Sequence, residues 1–540
     1  MLLGLTVGVV VVVIVMAVAV VLLSGVTLAS DPTALAKVTV GPVGGTIEHV
    51  EAFDARGHSV PIAVSDGRLT PLHRLKPGEA VSVEATVKRP GWVGWALGAT
   101  KTEHLTVTAP VAEVSEHWMT VSEGSPVRVA FDRPVYAVAY GDTGSLSRHV
   151  AADSRSSVSL GSQPATGAVQ VAAAPRPWET LGKPSQVSWF PPSDSPVMVT
   201  LPAAGAKIGP ATTLYLTFSK PVSDVLGSAH PEIVPSTQGH WREVNSHTLA
   251  FRPTGFGAPL GSQLRVQLPK PVAVIASSDS GGLSASTGSS AGAAGGMRQT
   301  SSVEWTVPPG STLRLQQLLA ETGYLPVSWH PSGPPVARTP EAQAQAAANP
   351  PSGSFGWRYG DTPHQLQALW SPGQWSVVMK GAIMKFETQN EMTADGEAGP
   401  AVWRALLKYV LEGKRLSEPY SYVYVHREVP ETMTLWSAGH TIETAPANTG
   451  ISGAETALGT FPVFEHIPEG TMSGTNPDGS HYEDPGIKWI SYFNGGDALH
   501  NFNRSSFGSP QSLGCVELPL EAAAKEWPYT TIGTLVTIES

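Results

Sequence analysis

Residues 276–296 are almost entirely Ser, Gly and Ala. Such a tract has no side chains from which to build a core and is expected to behave as flexible coil, so it divides the chain in two. The two sides differ in kind. From about residue 34 to residue 273 the sequence runs in short alternating stretches of Val, Thr and Leu punctuated by Gly and Pro, the pattern of an all-β region. Beyond the tract, amphipathic helical patterns come first and a second strand-rich region follows. The tract also contains Gly288-Ser289-Ser290-Ala291-Gly292, which satisfies the G-x-S-x-G pattern of serine hydrolases. That motif needs a strand before it and a helix after it, and low-complexity sequence supplies neither.

A chain of 540 residues has room for roughly three to five domains. The boundaries read along it are 1–30 for a membrane anchor or uncleaved signal, 31–110 for a β module, 111–195 and 196–273 for two β-sandwiches, 274–304 for the linker, 305–416 for a helical domain with an insertion, and 417–540 for a mostly-β domain. The expected fold class is therefore multidomain and mainly β. Residues 1–24 carry no charge and are rich in Val. At about 1.5 Å per residue, roughly 20 residues cross a hydrocarbon core, so this segment is long enough to span one. A secretory signal competes, although its apolar region usually runs to about 7–15 residues, and Thr27-Leu28-Ala29 makes a poor cleavage site. No Lys or Arg precedes the apolar run, so charge does not set its orientation. With 14% charged residues, 55 Gly, 47 Pro and one Cys, the composition suits an exported protein. A net charge of −10 without a basic stripe argues against a nucleic-acid partner.

Two segments of the β region echo one another. Ser125-Pro126-Val127-Arg128-Val129-Ala130-Phe131-Asp132-Arg133-Pro134-Val135 matches Thr212-Thr213-Leu214-Tyr215-Leu216-Thr217-Phe218-Ser219-Lys220-Pro221-Val222, and Trp189-Phe190-Pro191-Pro192 matches Ala250-Phe251-Arg252-Pro253. The separation of Phe131 and Phe218 suits one immunoglobulin-like sandwich, and the second copy resembles the bacterial Ig-like modules that space wall enzymes from the membrane. Rigid spacers are the plain reading. After the tract, Leu313, Leu315, Leu318 and Leu319 form a stripe that stops at Gly323-Tyr324-Leu325-Pro326. A second stripe, Val377, Val378, Ala382, Ile383 and Phe386, leads to Trp403-Arg404-Ala405-Leu406-Leu407. The series resembles the small three-helix peptidoglycan-binding domain, interrupted by an insertion at about 328–372; the resemblance implies a grip on glycan, and a brace for the next domain is the alternative.

Cys515 is the single cysteine. It cannot form an internal disulfide, and one thiolate makes a poor metal site, which leaves a buried small hydrophobe or a nucleophile. Gly514 before it lets the backbone turn through positive φ or approach closely, where an acyl-enzyme needs N–H groups aimed at an oxyanion. His500 precedes it as a candidate base, and an imidazolium beside a thiol can lower its pKa from about 8.5 to below neutrality. Residues 486–493 read as a strand, Gly495-Gly496 as a turn, and 498–502 as a second strand. The run from Met472 to Ser480, between His466 and His481, reads as a surface loop and a candidate lid, with both histidines solvated. Trp489 and Tyr492 are candidates for lining a cleft, with core packing as the alternative. The 16 His are scattered and no H-E-x-x-H or C-x-x-C pattern occurs, so neither a metal nor a cofactor is indicated.

His500, the loop after it and Ser512-Leu513-Gly514-Cys515 resemble the active-site signature of the YkuD-type L,D-transpeptidases, in which a His is followed by a loop and Ser/Thr-His-Gly-Cys. Tyr422-Val423-Tyr424-Val425, Pro446-Ala447-Asn448-Thr449-Gly450, Thr456-Ala457-Leu458-Gly459-Thr460-Phe461 and Gly533-Thr534-Leu535-Val536-Thr537-Ile538 resemble other blocks of that family in order. The departures are Leu513 for the usual His, and Glu517 for the Arg or Asn two residues after the Cys. The resemblance implies acyl transfer on peptidoglycan stem peptides: Cys515 as nucleophile, His500 as general base and then acid, the N–H groups of Gly514 and Cys515 as oxyanion donors, and Ser512, Asn501, Trp489 and Tyr492 as substrate contacts. Turn capping is the alternative for Ser512. The implied partners are stem peptides, glycan and, through the N-terminal helix, the membrane, with the body facing the extracellular wall.

Overall fold

The computed structural model describes residues 14–16, 18–141, 146–275 and 297–540. The Ser/Gly/Ala tract and most of the expected anchor lie outside these. Among the described residues no helix is long and apolar enough to cross a membrane.

The first β module begins earlier than composition suggests. Val26–Ser30 is a strand paired antiparallel with Ala36–Val40, and Val26 is buried in the module's core. The anchor boundary at residue 30 is therefore too late by about one strand. This sheet, completed by Arg68–Pro71 and Ile62–Ser65, faces a second sheet of Thr46–Asp54, Ala80–Lys88 and Thr100–Thr108. Along Ala80–Lys88 every second residue (Val81, Val83, Ala85, Val87) is buried, as a strand with one face on a core requires.

Residues 111–195 form one sheet instead of the expected two. Its order is Arg148–Ser162, Pro126–Gly141, Gly167–Ala174, Ser185–Phe190, Trp118–Thr120. The two long strands shift register several times, and such bulges bend and twist a sheet so that one face can wrap a core. The repeat holds at Phe131 and Phe218, both buried, and then diverges: after Pro134 the strand continues to Gly141, whereas Pro221 caps the short helix Val222–Leu226.

The expected linker is corrected at both ends. Gln263–Ile275 pairs antiparallel with Met297–Thr306, from Gln263 with Thr306 to Ile275 with Met297, with a register shift between Gln267 and Val272. The low-complexity tract thus connects two neighbouring strands of one sheet and does not divide the chain. Val272, Val303 and Trp305 from these strands are buried, and the Trp305 indole donates to the Pro202 carbonyl at 3.1 Å. With Glu232–Val234 they form a three-stranded sheet, and Met198–Leu201, Leu214–Phe218, Thr248–Pro253 and Gly239–Asn245 form the other face of this domain.

The helical patterns appear as Thr312–Thr322, Val377–Gln389 and Pro400–Leu411. Ser311 caps the first, its hydroxyl accepting from the Arg314 N–H at 3.1 Å, and Gly323 ends it in the left-handed region. The insertion is ordered, with a hairpin of Val327–Pro331 and Gly353–Trp357 and the helices Pro340–Ala348 and His364–Ala368. One continuous core runs through this part of the molecule, from Leu264 and Trp305 through Leu318, Phe386 and Trp403 to Tyr422, Trp436 and Leu535. At Gly381 a Cβ would lie 2.4 Å from the Gly533 carbonyl oxygen, so its absence lets the helix Val377–Gln389 sit directly on the last domain's backbone.

That last domain has two sheets. One orders His440–Pro446, Thr432–Ser437, Ser421–His426, Leu535–Glu539 and Gly459–Pro462; the other orders Glu465–Thr475, His481–Asn494, Asp497–Asn501 and Val516–Leu518. Val423, Val425, Leu435, Leu499, Val516, Leu518 and Val536 fill the space between them.

Candidate active site

The sequence places His500 on the strand Asp497–Asn501 and Cys515 immediately before Val516–Leu518. These two strands pair in parallel, Leu499 beside Val516 and His500 beside Glu517. Parallel neighbours cannot be joined by a tight turn. The connection is the 502–515 loop, which is fixed from behind by the segment 447–450. The Asn448 side-chain oxygen accepts from the Gly508 N–H at 3.0 Å, and the Thr449 carbonyl accepts from Gln511 and Ser512 at 2.9 and 3.0 Å. Thr449 is held in turn by buried Glu431, whose carboxylate accepts its N–H at 2.6 Å and its hydroxyl at 2.7 Å.

His500 and Cys515 open onto one cavity of about 600 Å³, lined also by Met472, Tyr482, Asp484, Tyr492, Asp497, Arg504, Leu513 and Glu517. The run around Met472 is not a loop. Glu465–Thr475 and His481–Asn494 form a long hairpin that reaches over the cavity, and the turn is confined to residues 476–480. Met472, Ser473, Gly474 and Tyr482 of this hairpin line the cavity. His466 is not solvated; it stacks on Trp527 and bonds to that residue's carbonyl at 3.2 Å.

His500 is buried, and its Nδ1 lies 2.9 Å from the Asn501 carbonyl oxygen. A carbonyl only accepts, so this contact puts the proton on Nδ1 and leaves Nε2 with the lone pair that a base needs. Burial holds the imidazole below its usual range, with the Asn501 carbonyl and the Glu517 charge pulling the other way. Cys515 is half-buried, and its thiol lies 3.6 Å from the Gly496 carbonyl. Burial pushes the thiol up to about 12; the Ala498 N–H opposes this, and the charges of Asp497 and Glu517 add to it. Desolvation and the neighbouring carboxylates thus act against the lowering that an imidazolium would bring.

The other expected residues separate. Gly514 is required by conformation: φ is +117°, and a Cβ would meet the Asp497 carboxylate oxygen at 2.4 Å. Its N–H points to the Ser512 hydroxyl at 3.3 Å, so it is not free to serve as an oxyanion donor in this state. Ser512 is buried and spends its hydroxyl on the Cys515 carbonyl at 2.5 Å, capping the turn. The Asn501 side chain is buried and donates to the Leu518 carbonyl at 3.4 Å; its contribution to the site is the backbone carbonyl that orients His500. Trp489 has φ +56° and packs on the core between the two sheets, whereas Tyr492 lines the cavity and stacks on Phe464.

Sequence reading missed Arg504. Its guanidinium donates to both carboxylate oxygens of Glu517 at 2.7 and 2.6 Å and to the Gln511 carbonyl at 3.0 Å, and it lies 4.6 Å from the Phe502 ring centroid. Glu517 is buried, so this two-point pair is what makes its charge tolerable. The signal was the combination of an acid where the family pattern has a base and an unassigned Arg in the preceding loop.

Residues 421–538 match the family model of the L,D-transpeptidase catalytic domain, YkuD. No curated protein matches the chain. Among solved structures, the chain is similar to an L,D-transpeptidase from Mycobacterium smegmatis at 12% identity and TM-score 0.21, covering 64% of this chain and 99% of that one. The catalytic domain of the E. faecium L,D-transpeptidase is 23% identical, with a TM-score of 0.21 and coverage of 22% of this chain and 96% of that one. L,D-transpeptidase 3 from Mycobacterium tuberculosis is 11% identical at TM-score 0.21, covering 64% and 99%. The family match identifies the C-terminal domain, residues 421–538, as a YkuD-type L,D-transpeptidase catalytic domain.

Proposed function

We propose that the chain cross-links peptidoglycan by an acyl-enzyme route through Cys515. The observation that carries this reading is the parallel pairing that sets the only thiol and an imidazole with a free Nε2 lone pair on the wall of one cavity. Cys515 Sγ attacks the carbonyl that joins the diamino acid of a stem tetrapeptide to its terminal D-Ala. His500 takes the thiol proton and delivers it to the departing D-Ala amine, leaving a thioester. A side-chain amine of a second stem then attacks the thioester; His500 accepts the amine's proton and returns it to the sulfur. Because the thiol titrates high and the imidazole low, the resting pair is neutral and proton transfer accompanies attack. The Cys515 N–H is the backbone donor for the oxyanion, joined by that of Gly514 if Ser512 releases it.

The helical domain holds glycan near this cavity, the β domains space it from the membrane, and the N-terminal segment anchors it with the body on the wall side. Intact-protein mass spectrometry after incubation with a disaccharide-tetrapeptide tests the route. A mass increase that requires Cys515 and His500, with release of D-Ala, is expected; cross-linked dimer marks transfer, and shortened monomer marks hydrolysis by water. No adduct and no D-Ala release would refute the acyl-enzyme and leave a wall-binding scaffold.

A further inference from the structure

The first β module carries two large exposed side chains for which spacing the other domains gives no reason. Trp92 is 57% exposed and Trp95 85% exposed, with Leu97 beside them, all on the short helix Gly91–Leu97. This helix forms the tip of the hairpin between Ala80–Lys88 and Thr100–Thr108, whose last pair is Lys88 with Thr100. Val93 of this helix is buried, and the Arg89 guanidinium donates to the Leu97 and Gly98 carbonyls at its C-terminal end. The tip is therefore built and held, and its tryptophans are turned outward.

The same end of the module receives the apolar N-terminal segment. The Gly41 N–H donates to the Gly25 carbonyl at 2.8 Å, and Val43 to the Leu23 carbonyl at 3.3 Å. On the other side of this loop, a Cβ on Gly45 would lie 1.9 Å from the Lys88 carbonyl oxygen, so the loop lies directly against the tryptophan hairpin. Lys101 Nζ reaches the Val26 carbonyl at 3.4 Å. Ile14, Val15, Val18, Val21, Leu22 and Leu23 are exposed, in a segment 1–24 that contains no charged residue.

Charge is present at this end as well. Lys88, Arg89 and Lys101 lie on the hairpin, and the acids near them are Glu48, in the bulge opposite Val87 and Thr86, and Asp66, in the turn beside Val38. Lys101 shares its charge with Glu103 at 2.7 Å. Tryptophan has an apolar body and one N–H donor, which suits the headgroup level of a bilayer, and cations beside it suit anionic lipid.

We propose that Gly91–Leu97 is a second membrane contact: Trp92 and Trp95 insert at the surface of an anionic bilayer beside the exit of the N-terminal segment, fixing the angle at which the chain leaves the membrane. The argument rests on the anchoring proposed for the N-terminal segment and stands apart from the acyl-transfer chemistry; retention of the full chain in the vesicles on flotation tests the anchor separately from the label.

The test uses the full chain with Cys515→Ser, so that a single Thr100→Cys carries an environment-sensitive nitrobenzoxadiazole label at the foot of the helix. The same label at His58→Cys, at the far end of the module, is the control. On reconstitution into phosphatidylcholine–phosphatidylglycerol vesicles, the Thr100 label shifts to the blue, brightens several-fold and is quenched by brominated lipid, while the His58 label stays water-like. Trp92→Ala with Trp95→Ala returns the Thr100 label to water-like emission; because both side chains are exposed, the module keeps its core, and the Phe pair retains part of the shift. A water-like Thr100 label in vesicles overturns the proposal. So does a shift that survives the double Ala variant, or one that appears without lipid and grows with protein concentration, which would mark a second copy as the occupant.

Discussion

The ionisation of Cys515 decides how the proposed chemistry runs, and because it is the only cysteine it can be measured directly. Burial pushes its thiol from 9.0 up to about 12, and burial also holds His500 below the ordinary imidazole range. Both effects favour the uncharged pair over thiolate and imidazolium. A thiol titrating near 12 in place of 9 is about 1000-fold less ionised at neutral pH. Its thiolate is intrinsically more nucleophilic, with a Brønsted slope of about 0.4–0.5, which restores roughly 20-fold. Alkylation by iodoacetamide should therefore run about 50-fold slower than for an ordinary exposed cysteine. The assay is the rate of mass gain of the intact chain between pH 6 and 11. The rate should rise about tenfold per pH unit up to the highest pH at which the fold persists, and His500→Gln should change it little.

The linkage has a fixed sign. The folded chain keeps the thiol proton to about 12, whereas an unfolded one loses it from about 9, so the stabilising contribution is complete below 9 and is lost as pH rises from 9 towards 12. A rate plateau at or below neutral pH, abolished by His500→Gln, would refute the reasoning and establish a preformed thiolate–imidazolium pair.

Gly514→Ala forces a side chain into φ +117° and onto the Asp497 carboxylate, 2.4 Å from the new Cβ. A cost of about 1–3 kcal/mol from the backbone alone, with loss of most acyl-enzyme formation, is expected in melting and in D-Ala release. Arg504→Ala removes a charge that lowers His500 and leaves Glu517, which raises it, without its partner. The acid limb of kcat/KM should move to higher pH, with Lys restoring part of the difference and Glu517→Gln moving the limb the other way. Glu526 is buried, and burial pushes its carboxyl up to about 8. Its folded pKa is raised above 4.5, so its proton stabilises the fold below that value and the contribution is lost as pH climbs to 8. Glu526→Gln should flatten this slope in urea unfolding between pH 5 and 8, with a gain of order 3 kcal/mol at pH 7.

What the sequence made legible was local. The stripe Leu313, Leu315, Leu318 and Leu319 predicted a helix, and Thr312–Thr322 is one, but its burial is nearly all round: Arg314, Gln316 and Gln317 are buried with the last three leucines, while Leu313 is only partly buried. Cys515 stood out as the single cysteine, and His500, one of 16 histidines, was singled out only by its place ahead of it in the signature. The failures lie where an outcome depends on partners distant along the chain. Composition cannot say that residues 275 and 297 are neighbours in a sheet, so a hairpin connection read as a divider. Periodicity cannot count sheets, so Pro126–Gly141 and Arg148–Ser162 read as parts of a sandwich although they wrap one face. Ser512 was open between a substrate contact and a turn cap, and Asn501 was expected as a substrate contact; their hydroxyl and amide go to the Cys515 and Leu518 carbonyls.

The two departures from the family signature acquire a physical meaning only in the cavity. Leu513 puts an apolar side chain where the pattern has an imidazole, and Glu517 puts a carboxylate where it has an Arg or Asn, so the thiol's surroundings lose a polar group at one position and gain a negative charge at the other. Arg504 reaches across the loop and neutralises Glu517 at two points, but it leaves Asp484 and Asp497 on the same wall. Asp497 is itself pushed up by burial, which eases part of the repulsion. The remaining field opposes a free thiolate. On the proposed route this suits a nucleophile that is deprotonated only during attack, while an amine acceptor has to shed its proton before it can attack the thioester. On that route His500 is the group that takes and returns the proton, and the Arg504–Glu517 pair would act on the rate by setting how readily that imidazole does so.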